Sequence, residues 1–246
     1  MSVSTPQAEP SPPAEPNDRD GAIPPLENGD RLTADEFLRR YELMPGLKKA
    51  ELIEGIVHVP SPVRQKYHGA PHSTLIGWLF AYRARTPGVE LGDNSTVHLG
   101  LTNTPQPDCL LFIQPEHGGR VKIDEEGYIV GAPDLVAEVA ASSVSYDLHD
   151  KRNAYRRNGV REYLVWRVLD GQIDWFVLRK GRYKPLSPRA DGTLRSTVFP
   201  GLWLAPAALL GGDLATVLAV VQRGLETPEH AAFQAQLQRA KAVPPG

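Results

Sequence analysis

The chain has 246 residues, 41% of them hydrophobic, which is enough for one sizeable core. A single cysteine, Cys109, excludes an internal disulfide and fits a reducing compartment, and no apolar run reaches the ~18 residues of a membrane span, so a cytoplasmic protein without membrane attachment is expected. The net charge of −2 excludes a strongly basic nucleic-acid-coating protein, but residues 1–30 hold six of the 29 acids and one of the 27 bases, leaving the remainder at +3.

Residues 1–30 also hold seven of the 23 prolines and few large apolar side chains, so they are expected to form a disordered acidic tail, followed by one domain over 31–246. Order is expected from Leu32. Thr33 and Glu36 have capping-box spacing and Leu32 can staple onto Phe37, opening a helix to about Met44. ELIEGIVHV, 51–59, predicts two short strands turning near Gly55, and SPVR predicts a loop. Pro71 suits the first turn of a helix in which Leu75, Ile76, Leu79 and Phe80 recur at helical spacing up to about Arg85. Strands are predicted over 89–99, 107–113 and 134–141, with GRVKIDEEGYIVGAP as a polar hairpin between the last two. Ser145 is the expected N-cap of a helix that reaches Asn158 and stops at Gly159. EYLVWRV and QIDWFVL flank an Asp170-Gly171 turn, TVFPGLWL predicts a last edge strand, and two helices, 212–224 and 228–241, close the chain. Strands interspersed with helices predict an α/β (α+β) domain built on a central mixed sheet flanked by helices.

Two strand-like runs, PDCLLFI from Pro107 and PDLVAEVAASS from Pro133, each begin with Pro-Asp. The second is apolar on both faces, so Glu138 is expected to be buried. There it stays ionised only beside a cation, whether a divalent metal, a lysine or a salt-bridging arginine. Asp108 opens the neighbouring strand, although Pro-Asp is also an ordinary strand-entry signal. With the Val139 carbonyl, these two carboxylates would supply the hard oxygen ligands that Mg2+ or Mn2+ prefers. Lys151 shares a helical stripe with Leu148 and Tyr155. Its ammonium is directed either into the carboxylate site, where it would orient the attacking water, or past the core to solvent and Asp147. His68 and His72 have a zinc-like spacing of four that a helix beginning at Pro71 would spoil. Glu51 lies where a third acid can reach the site from the sheet entrance. Arg152, Arg156, Arg157 and Arg161 read as solvated charge.

ELIEG, His68 ahead of the first long helix, QPD at 106–108, the block at 133–143 and DLHDKRNAYRRNGVREYLVW at 147–166 resemble the Uma family of restriction endonucleases. That family is a branch of the PD-(D/E)xK nuclease superfamily, and the resemblance spans roughly residues 32–235. It implies a restriction endonuclease-like core with Mg2+ held by Asp108, the PD aspartate, and Glu138, the (D/E) member. Ala140 stands where the superfamily pattern has lysine, and the resemblance implies that the amine has moved to the following helix as Lys151. It also implies an auxiliary acid in Glu51 and a site-edge role for His68. The expected function is a Mg2+-dependent endonuclease that hydrolyses double-stranded DNA by metal-activated water, acting as a homodimer with two sites about a two-fold axis. Two other readings stand beside it: a catalytically silent nuclease-fold module that binds nucleic acid or a protein partner, and a metal hydrolase of small phosphoesters.

Overall fold

In the computed structural model, which describes residues 23–60 and 64–241, the Thr33 hydroxyl accepts the Glu36 amide at 3.4 Å and opens α1 (Ala34–Glu42). Most of the expected tail and of the SPVR loop lies outside the described residues. The last residues of that tail correct the boundary drawn at residue 30. Leu26 is buried in one cluster with Phe37, Leu52 and Val57, and the Gly29 amide donates to the Val57 carbonyl at 2.8 Å. Burying one leucine, worth about 1.5–3 kcal/mol, helps to offset the entropy of ordering a short strap that its composition alone does not reveal.

Strands β1 (Glu51–Ile53) and β2 (Ile56–His58) turn through Glu54 and Gly55, both at positive φ (52° and 78°), as a tight hairpin requires. A π-helical turn over Gln65–Gly69 runs into α2 (Ala70–Arg83), which buries Leu75, Trp78, Leu79 and Tyr82 but leaves Phe80 exposed, against expectation. The predicted strand 89–99 breaks at Asn94, whose φ is 48°, into β3 (Val89–Asp93) and β4 (Val97–His98). Next come β5 (Cys109–Ile113) and the predicted polar hairpin, β6 (Lys122–Ile123) with β7 (Ile129–Val130). Strand β8 (Leu135–Ala140) is buried at every position. It leads through α3 (Val144–Tyr146), a second π-helical turn (Asp147–Lys151) and α4 (Arg152–Arg157) to β9 (Glu162–Arg167). Ser145 is not the N-cap. The helical run starts at Val144 with Ser143 in the N-cap position, two residues earlier, and Ser143 donates its hydroxyl to Asp147 at 2.6 Å.

The Asp170-Gly171 turn returns the chain as β10 (Gln172–Arg179), and β11 (Arg182–Pro185) then forms an edge that no periodicity marked. Strands β12 (Leu194–Arg195) and β13 (Trp203–Leu204) pair only with each other in the described sheets, so TVFPGLWL does not edge the main sheet as expected. Helices α5 (Pro206–Leu210), α6 (Leu214–Leu225) and α7 (Pro228–Lys241) finish the described chain. Among the described residues no helix is long and apolar enough to cross a membrane.

The main sheet has the order β11-β10-β9-β8-β5-β3, with β8 and β9 parallel and the other neighbours antiparallel. A parallel pair needs a crossover, and α4 supplies it. Side chains alternate across β8. Leu135, Ala137 and Val139 face the core formed with α2, α6 and α7, while Val136 and Ala140 face the core beneath α4. Glu138 shares the parity of the second set, so the crossover helix passes over it. That geometry brings the site together.

Candidate active site

Strands β5 and β8 pair with Cys109 opposite Ala137, so the next step of the ladder sets Asp108 against Glu138. Each carboxylate reaches across to the other strand's backbone. The Val139 amide donates to Asp108 Oδ2 at 2.9 Å and the Asp108 amide to Glu138 Oε2 at 3.3 Å. An extended residue directs its N–H and C=O to the same edge, so the Val139 carbonyl also faces Asp108.

The crossover delivers Lys151 and Tyr155, one helical turn apart, onto Glu138 Oε1 at 2.9 and 2.8 Å. The Lys151 ammonium also lies 3.0 Å from Glu51 Oε1 and 3.8 Å from Asp147 Oδ1, with only 4% of its side chain exposed. Glu51, the first residue of β1, is fixed in turn by the Gln106 amide at 2.8 Å. On the other side of Asp108, Lys49 reaches Oδ1 and His68 Nε2 reaches Oδ2, each at 3.1 Å. Asp108, Glu138, Lys151, Glu51 and His68 therefore meet in one place, around a cavity of about 830 Å³ that Lys49 and Val139 also line.

The π-helical turn keeps the chain helical through Pro71, so His68 and His72 share a face, with ring centroids 5.6 Å apart, contrary to the expected break. Both rings hold the strand end at Asp108. His72 Nε2 lies 2.9 Å from the Asp108 carbonyl and 3.0 Å from Asp93 Oδ1, both acceptors, so it is the donor. Arg161, read as solvated, instead pairs with Asp134 of the second Pro-Asp at 3.2 Å, and Arg120 joins it there. Lys49, Asp147 and the Tyr155 hydroxyl are site groups the pattern reading missed. Lys49 and Glu51 are two apart at a strand entrance and hence on one side, which was the available signal.

Burial opposes ionisation throughout the site, and neighbours decide the outcome. For Asp108, the His68 bond and the Lys49 charge outweigh burial and hold the carboxyl below its usual range. For Glu138, burial together with the charges of Asp108, Asp147 and Glu51 prevails over Lys151 and raises the carboxyl to about 8. Asp147 is raised by burial too. Burial disfavours the Lys151 ammonium, but Glu138, Glu51 and Asp147 overcome it and hold the proton well above the usual lysine range.

Four carboxylates (Glu51, Asp108, Glu138, Asp147) meet two ammonium groups (Lys49, Lys151) in this contact network. With all four ionised the carboxylates would exceed the ammonium groups by two charges, and without a further cation Glu138 holds a proton instead. One divalent cation would neutralise that surplus. Among the described residues no three His, Cys, Asp or Glu side chains are gathered closely enough to cage a metal alone. Mg2+ characteristically takes only one or two carboxylates and keeps several waters, so Asp108, Glu138 and the Val139 carbonyl fit that ion.

A structural neighbour is a crystal structure from Anabaena variabilis described as "a putative nuclease belonging to DUF820". It is 16% identical to this chain, covers 77% of it and 99% of its own length, and superimposes with a TM-score of 0.51. The chain shares the fold of that structure, a central mixed sheet flanked by helices. No curated protein matches the chain. The sequence profile of the Uma2 family, described as "Putative restriction endonuclease", matches residues 34–207, and the chain belongs to that family.

Proposed function

We propose that this cavity hydrolyses phosphodiester bonds in DNA with Mg2+ or Mn2+ as cofactor. The observation that carries the reading is the surplus of carboxyl groups over ammonium groups around Asp108 and Glu138, four against two, on the floor of a cavity large enough to admit a phosphate and its sugar. A divalent ion bound there supplies an activated water and a counter-charge for the leaving oxygen. Asp108, Glu138 and the Val139 carbonyl would hold it. The protein's own part is pre-organisation. Lys151 keeps Glu51 and Glu138 together, Tyr155 fixes the Glu138 rotamer, and the Lys151 ammonium is a fixed positive group for charge that develops on phosphorus oxygens. His68 orients Asp108 at the site edge. Cutting both strands of a duplex suits a homodimer, which light scattering on the full chain would report.

The test is a divalent-ion-dependent cleavage assay on plasmid DNA, single-stranded DNA, RNA and a small phosphodiester, run beside Glu138→Ala. Metal-dependent cleavage of plasmid that Glu138→Ala loses supports the reading. Turnover of the small ester alone replaces DNA with a small substrate, and no turnover of any substrate makes the fold a binding module.

A further inference from the structure

The two lysines of the site are held very differently. Lys151 is enclosed by three carboxylates and cannot leave them without stranding buried charge. Lys49 touches one carboxylate, Asp108, and one amide oxygen, Asn94 Oδ1, each at 3.1 Å, and its side chain is 24% exposed on the cavity wall. The oxygens of Asp108 differ in the same way. Oδ2 already accepts from Val139 N and faces His68, whereas among the described residues Oδ1 has Lys49 as its bonded partner. A cation arriving at Asp108 therefore meets Lys49 at Oδ1, and two positive charges cannot share that edge.

Resting on the nuclease reading above, we propose that Lys49 is an exchangeable cation. It neutralises Asp108 until a divalent ion takes Oδ1, and then, still tethered at Asn94, binds a phosphate oxygen of the substrate. Metal and amine compete for the carboxylate but cooperate on the phosphate. Lys49 is thus a substrate-binding residue, one that a search for a single site lysine passes over.

The proposal predicts opposite effects on two ligands, which a merely structural lysine would not give. Titration calorimetry should show Lys49→Gln binding Mg2+ about tenfold more tightly than wild type, since the competing charge is gone while the bond to Asn94 can persist. A short DNA duplex, bound in the presence of Ca2+, should bind Lys49→Gln more weakly, with the slope of log affinity against log salt reduced by about one. Lys49→Arg should return both quantities towards wild type, and thermal unfolding of each variant shows whether the fold is kept. Unchanged or weaker Mg2+ binding in a folded Lys49→Gln overturns the exchange. Tighter Mg2+ binding with an unchanged duplex affinity and salt slope overturns the phosphate contact. If wild type binds no duplex, the DNA reading and the phosphate contact fall together, while the Mg2+ comparison still decides whether Lys49 competes.

Discussion

Two glutamates on adjacent strands, Glu138 on β8 and Glu162 on β9, are both buried, and burial raises both carboxyls, yet their surroundings differ in kind. Glu162 accepts from Trp175 Nε1, the Ser196 and Thr197 hydroxyls, and the Thr197 and Val198 amides, at 2.6–3.2 Å. It fastens the 196–198 segment to the sheet with neutral donors. Glu138 accepts one backbone amide, one phenol and an ammonium, faces three further carboxylates, and opens on the cavity. Burial alone does not distinguish a site acid from a structural one. What sets Glu138 apart is the surplus of carboxyl groups around it and the open volume beside it.

The largest effect should follow from breaking that contrast in the assay. Glu138→Ala should lower metal-dependent cleavage by ~10³-fold, the several kcal/mol expected of a lost metal ligand, while Glu162→Gln cleaves near the wild-type rate. Equal losses in plasmid cleavage would remove the distinction. Next, Lys151→Ala should cut cleavage by ~10²-fold. Without metal it should also lower unfolding stability by about 3–5 kcal/mol, because buried carboxylates lose their counter-ion. Added Mg2+ should recover part of that stability in denaturant titrations. Glu162→Ala should cost about 1–3 kcal/mol through donors left unpaired, with Mg2+ affinity by calorimetry unchanged.

The same contrast extends to pH dependence. The native Glu138 carboxyl, raised from 4.5 to about 8, keeps a proton that the unfolded chain releases. Its contribution therefore makes metal-free stability fall as pH rises from about 4.5 to about 8. Mg2+ affinity should rise over the same window, because the ion requires the carboxylate. Glu138→Gln should flatten the stability profile more than Glu162→Gln, as read from thermal unfolding against pH.

The pairing of Asp108 with Glu138 was legible because both lie on runs too apolar to be surface strands, and Lys151 was legible from its stripe with Tyr155. The same criterion applied to EYLVW would have nominated Glu162, and nothing local separates the two glutamates. What separates them is which side of the sheet the crossover covers and what the 196–198 segment brings, both long-range facts. Lys49 was lost because LKKAEL reads as solvated charge until β1 docks on the 104–106 segment that leads into β5. The Leu26 strap was lost because a proline-rich window averages out one leucine that finds a pocket.

The reciprocal bonds between Asp108 and Glu138 and each other's backbones make strand alignment and chemical competence one property. If β5 slipped by one residue against β8, both carboxylates would lose their amides together, and alternation would turn Asp108 to the opposite face. The result would be a folded sheet with no site. A divalent ion that binds only the correct alignment would act as a proofreader of folding, drawing the population towards the in-register chain by mass action.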